Sequence, residues 1–136
     1  MIHEEILKQD ADIICLQVCS ENPSVAMALT LYIQEVDRLD KLVPILENAG
    51  YAHHYSSGHG KKHGCMIAFK KNLYSTVSVK VVHYDQYVPM YSDSGRSLTR
   101  NTFKTRNIGL LVALQSLDQE SEGLIVATTH LFWHPK

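Results

Sequence analysis

The chain has 136 residues, 45% hydrophobic and 20% charged, with a formal net charge of −1 from 13 Lys and Arg against 14 Asp and Glu. That composition suits one small globular domain burying about two-thirds of its unfolded surface, and it excludes a disordered chain. It also excludes an overall basic field for recruiting nucleic acid, leaving only a local groove for such a role.

In chain order, residues 2–9 read as a short helix, with Ile6 and Leu7 apolar among Glu and Lys. Asp10-Ala11-Asp12 turns into the apolar run Ile13 to Leu16, which reads as a buried central strand. Further on, Val36, Leu39, Leu42, Val43, Leu46 and Ala49 recur at three- and four-residue steps, one apolar helix face. Pro44 is expected to kink this helix or shorten its start, and Gly50 stands where a helix ends in a left-handed residue. Tyr51 to Ser57 alternates loosely, and the glycines of Gly58 to Gly64 mark a loop. Cys65 to Phe69 is a second apolar strand. Thr76 to Tyr84 alternates, with Val77, Val79 and Val81 on one half-buried side. Val88 to Lys104 is polar and irregular, a long surface loop. Ile108 to Leu114 and Leu124 to Thr128 are two more buried strands, and the acidic turn Asp118 to Gly123 suits a hairpin between them. The order predicts an α/β fold with mixed, mostly antiparallel strands.

Met1 to Glu5 lacks a basic segment followed by an apolar one, so no signal peptide is expected. No apolar run approaches the roughly 18 residues of a membrane-spanning helix. Cys15, Cys19 and Cys65 are an odd count without scaffold spacing, which points to a reducing compartment and a cytoplasmic or nuclear location. The histidines around His53-His54 and His59 to His63 do not have the spacing of a closed zinc site.

Three residues stand where chemistry could sit. Glu35 is a carboxylate of the kind that anchors a hard cation, although an acid at a helix start is equally ordinary. His130 leaves the apolar strand Leu124 to Thr128, where an imidazole could donate to a phosphate oxygen or serve only structure. Asn107 precedes the strand Ile108 to Leu114, as a turn residue or as a side chain facing a site. Lys61, Lys62 and His63, and then Arg96, Arg100, Lys104 and Arg106, form two basic stretches, either solvated loops or phosphate contacts.

When Val18 to Gln34 is removed, Asp-Ile-Ile-Cys-Leu-Gln runs directly into Glu35-Val36-Asp37-Arg38-Leu39. That joined string resembles the Leu-Gln-Glu metal-site motif of the endonuclease/exonuclease/phosphatase superfamily. Ala127-Thr128-Thr129-His130-Leu131 resembles a second motif of the superfamily, and Trp133-His134-Pro135 fits its deadenylase-like, nocturnin-like branch of RNA exonucleases. The resemblance implies a two-sheet α/β sandwich, with residues 1–136 forming an incomplete domain and 18–34 an insertion. It implies Glu35 as the ligand of Mg²⁺ (or Mn²⁺), Gln34 or Gln17 as the preceding Gln, His130 at the catalytic floor and Asn107 facing it. It also implies hydrolysis of RNA from the 3′ end, with a small-molecule phosphatase or an inactive binding remnant as the alternatives. The branch commonly has an acid where His63 stands here, which weakens that part of the likeness. The superfamily's opening Asn motif would precede Met1, and its Gly-Asp-x-Asn and Asp-His motifs would follow Lys136, so the expectation is weak activity from this chain alone. Val18-Cys19, Leu29-Thr30 and Gln34 can be encoded as splice donor, branch point and acceptor, which makes a translated intron the expected origin of the insertion.

Overall fold

The computed structural model describes residues 2–19, 39–87, 105–119 and 121–131. The elements are α1 (Ile2–Lys8), β1 (Ile13–Cys19), α2 (Leu39–Asn48), β2 (Tyr51–Ser57), β3 (His63–Lys70), β4 (Tyr74–His83), a 3₁₀ turn (Tyr84–Gln86), β5 (Ile108–Ser116) and β6 (Gly123–Thr129). They build two three-stranded sheets, ordered β1-β3-β2 and β4-β5-β6, and every strand pairing is antiparallel.

β3 explains why the sequence reads as a continuous apolar run there. It is the central strand of its sheet and is buried on both faces. Met66 and Ala68 face a layer formed with Ile14, Tyr51 and the helical residues Leu42 and Leu46, with Ile6 and Leu7 of α1 alongside. Cys65, Ile67 and Phe69 point the other way, onto Leu110, Val112 and Leu114 of β5. Alternation of side chains across the strand therefore feeds two cores from one segment. Burying each such Leu, Ile or Phe contributes about 1.5–3 kcal/mol relative to exposure. α2 runs through Pro44, which has no amide hydrogen for a helical bond, and its buried Leu42 and Leu46 lie one turn apart. Gly50 closes the helix with φ 89°, as expected of a left-handed terminator.

Expectations for three strands need correction. β1 and β6, read as buried strands, lie at sheet edges, with Cys15 and Ile125 exposed. β1 also runs past Leu16 through Val18 and Cys19, the first residues of the expected insertion 18–34, which pair with Gly64 and His63. β3 offers a ladder partner for each, so the strand runs on. The rest of that segment, and Glu35, lie outside the described residues, as does the whole of the expected loop 88–104. In β4 the three valines do not share one buried side. The register slips at Val77, between Thr76 and Ser78, and Val77 is 65% exposed. Val79 and Val81, beyond the slip, share a side, with Val79 44% exposed and Val81 packed on the inter-sheet core. A bulge on an edge strand breaks the two-residue period in this way. No described helix is long and apolar enough to cross a membrane.

Candidate functional site

The antiparallel registers bring the end of β1, the start of β3, the end of β4, the start of β5 and the end of β6 to one end of the sandwich. His130 follows β6 there, and Asn107 precedes β5. The two sequence-predicted residues thus flank the paired strand ends Gly109 and Thr129. Asn107 is 9% exposed. Its backbone amide donates to Thr105 Oγ1 at 3.3 Å, and its carbonyl accepts from Tyr84 N–H at 3.2 Å.

The two sheets touch at this end through polar contacts. Gln17 Nε2 donates to the Thr129 carbonyl at 3.2 Å, tying the Leu-Gln strand to the residue before His130. The His63 and His130 rings lie 4.4 Å apart between centroids, tilted by 50°. His63 begins β3 and His130 leaves β6, so this pair spans the two sheets. His130 Nδ1 is buried, with no hydrogen-bond partner among the described residues. A buried ring nitrogen that finds no partner carries a desolvation cost, which a ligand atom could relieve.

Close approaches shape the floor. A Cβ on Gly64 would run into the Ser56 carbonyl and lie 2.7 Å from the Tyr55 hydroxyl. A Cβ on Gly58 would collide with the Arg106 carbonyl. The loop Gly58–Lys62 is therefore pressed against the segment that leads into Asn107. Arg106 itself has φ 55°, a conformation that an Arg seldom adopts. Burial pushes the Cys65 thiol up, opposed in part by a hydrogen bond from the His130 backbone; neighbouring Cys15 adds to the rise. Cys65 is thus a protonated packing residue under the floor.

Among the described residues, no three His, Cys, Asp or Glu side chains come together as a metal site. Asp85, which is bonded to the segment leading into Asn107, accepts from the Thr105 and Arg106 amides. The described donors alone do not fit Mg²⁺, and Glu35 is outside them.

The comparisons agree with this geometry. No protein-family model matches the chain. A probable RNA exonuclease of Schizosaccharomyces pombe is 40% identical over 108 residues, which cover 76% of this chain and 19% of that protein. The crystal structure of ANGEL2, a 2′,3′-cyclic phosphatase, in complex with adenosine-2′,3′-vanadate is 31% identical, with a TM-score of 0.65 over 96% of this chain and 31% of that one. The chain belongs to the deadenylase-like branch of the endonuclease/exonuclease/phosphatase superfamily. Its fold is the α/β fold of that superfamily. The human nocturnin catalytic domain, at 22% identity and a TM-score of 0.63, shares that fold over 98% of this chain and 41% of its own. The chain spans about a fifth of the length of the curated relatives it matches.

The sequence singled out His130 and Asn107 as candidates, and His63 as part of a basic stretch and as a departure from the branch's acid; the structure places all three at this end. Sequence reasoning missed the side chains of Tyr84 and Asp85, which bind the segments carrying His130 and Asn107. No local signal marks them, because a Tyr-Asp after a strand reads as an ordinary turn. Thr129 was legible as part of the Thr-Thr-His string, although its hydrogen bonds were not.

Proposed function

We propose that this chain is part of a phosphodiesterase that hydrolyses RNA from its 3′ end, with a Mg²⁺ ion held through Glu35. The observation that carries this reading is the meeting of the two motif strands, joined by Gln17 to Thr129 at 3.2 Å, directly beside the paired His63 and His130 rings. The similarity to an RNA exonuclease supports it. When bound, a divalent ion neutralises phosphate charge and lowers the pKa of a coordinated water.

The chain's own residues do the rest. His130 projects from a strand end whose backbone Gln17 holds in place, and its ring can donate to a non-bridging phosphate oxygen. His63 stands at the same entrance and supplies a second imidazole edge. The loop that carries Lys61 and Lys62 lies against Arg106 through Gly58 and Gly60, which would gather basic residues for a phosphate backbone in a chain of near-zero net charge. Cys15 and Cys65 are free thiols, which suits a cytoplasmic or nuclear enzyme.

A second reading is a phosphatase acting on terminal phosphates of small molecules or RNA ends. The likeness to ANGEL2, described as a 2′,3′-cyclic phosphatase, favours it. A 5′-labelled oligoadenylate and an RNA ending in a 2′,3′-cyclic phosphate, each incubated with Mg²⁺ and the protein expressed from its gene, distinguish the two. Stepwise shortening supports the exonuclease, and opening of the cyclic end without shortening supports the phosphatase. Binding without turnover of either substrate means a binding module.

A further inference from the structure

The short turn after β4 reaches both segments that carry the candidate residues. The Tyr84 hydroxyl donates to Thr129 Oγ1 at 2.7 Å, and Thr129 Oγ1 donates to the Ile108 carbonyl at 3.0 Å. A side chain on Gly109 would block this, since a Cβ there would lie 2.8 Å from the Tyr84 hydroxyl. The bare glycine is what allows the tyrosine to lie across β5 and reach β6. Thr129 is the residue immediately before His130.

Asp85 acts on the other segment. Its two oxygens accept separately from the backbone amides of Thr105 and Arg106, each at 2.9 Å. The Thr105 hydroxyl donates to the same carboxylate at 3.3 Å and accepts from the Asn107 amide at 3.3 Å. Charge-assisted bonds to two consecutive amides are strong enough to hold Arg106 in its left-handed conformation. The Tyr84 amide closes the arrangement on the Asn107 carbonyl at 3.2 Å.

We propose that Tyr84 and Asp85 are positioning residues: Tyr84 sets the backbone from which His130 projects, and Asp85 sets the Arg106–Asn107 backbone. The proposal rests on the phosphodiester reading of this end of the sandwich. Neither side chain needs to touch substrate. A site built from strand ends of two sheets depends on the relative placement of those ends, and one turn that binds β5, β6 and the approach to β5 fixes it.

The test uses the protein expressed from its gene, a 5′-labelled oligoadenylate and Mg²⁺, with melting temperature recorded for every variant. Tyr84→Phe keeps the ring and removes the donor. It is expected to lower kcat about tenfold, with KM within about twofold and little change in melting temperature, as expected for a small misplacement of a reacting group. Thr129→Val should reproduce that loss, and the double variant should be no worse than either single change, because both remove the same link. Asp85→Asn should also lower kcat, while Thr105→Ser, which keeps the hydroxyl, should retain activity. Unchanged kcat in Tyr84→Phe, or multiplicative losses in the double variant, overturns the proposal.

If the wild-type protein shows no turnover, the phosphodiesterase reading fails and the His130 ring decides the positioning role on its own. Its ¹H–¹⁵N imidazole signals should move in Tyr84→Phe while those of His53 stay in place. Ring signals that do not move overturn the proposal in that case.

Discussion

The two ends of the sandwich are built from similar residues and arranged to opposite purpose. At the end away from His130, Lys70 Nζ lies 3.0 Å from Asp10 and 2.9 Å from Asp12 and donates to the Asp10 carbonyl at 2.8 Å. The Tyr51 hydroxyl donates to the Ala11 carbonyl at 2.6 Å. These contacts tie the α1–β1 turn to β2 and β3, and the polar heads are spent on one another. At the other end the two imidazoles face each other with His130 Nδ1 unpartnered among the described residues, while backbone and turn residues hold the strand ends in place. Backbone strain does not separate the two, since Asp10 at φ 46° matches Arg106 at φ 55°. What separates them is that Lys70 completes its bonding within the fold, whereas the buried His130 Nδ1 finds no partner among the described residues and so is available to a ligand.

The largest effect should come from His130→Ala. It is expected to reduce RNA hydrolysis on the order of a hundredfold or more, the usual cost of losing one transition-state donor, while the melting temperature stays close to wild type. Lys70→Met in the same assay should leave turnover unchanged. Equal losses for the two variants would erase the distinction between the ends.

Gly64→Ala tests the tight floor beside His63. The added methyl must displace the Ser56 carbonyl or the Tyr55 hydroxyl, and overpacking of this kind costs about 1–3 kcal/mol. Urea denaturation should show a lower midpoint with an unchanged slope. A neutral result would mean that β2 and β3 separate easily there.

Lys70 gives a signature in pH. Its hydrogen bonds to Asp12 and Asp10 hold its pKa well above the ordinary lysine value. A raised folded-state pKa stabilises below the unfolded value, about 10.4, and that contribution is lost as the pH climbs toward the folded value. The stability gap between wild type and Lys70→Met should therefore be constant from pH 7 to 9 and shrink in strongly alkaline urea titrations.

The smallest expected effect lies between the sheets. Burial, with the neighbouring His53 adding to it, lowers the His54 pKa, and His54 Nε2 is hydrogen-bonded to Thr76 Oγ1 at 2.9 Å. A depressed folded-state pKa means that the unfolded chain takes up the proton first as the pH falls below about 6.5. Stability should decline through that window, and His54→Gln should flatten the decline. Equal acid slopes in the two proteins would count against it.

Much of this was readable in the residues. The apolar runs of β3 and β5 announce buried strands because a central strand covered on both faces has no polar side to show, whereas the equally apolar runs of β1 and β6 proved to be edge strands, because strand order is not written in a local run. Gly50 announces a helix end because its backbone reaches a region that side chains exclude. The Thr-Thr-His string identified the superfamily and located His130 at a strand exit. The valines of β4 misled because a bulge shifts the register without leaving a sequence mark.

The sequence by itself determined most of the elements and the superfamily, and it singled out His130 and Asn107 as candidates, since each depends on local periodicity or on a short string. Only the tertiary structure decided that β1 and β6 end side by side, that His63 meets His130, and that Tyr84 and Asp85 grip the strand ends around them. Those contacts join residues far apart in the chain, and their energy depends on distances and directions that exist only once the two sheets are packed together.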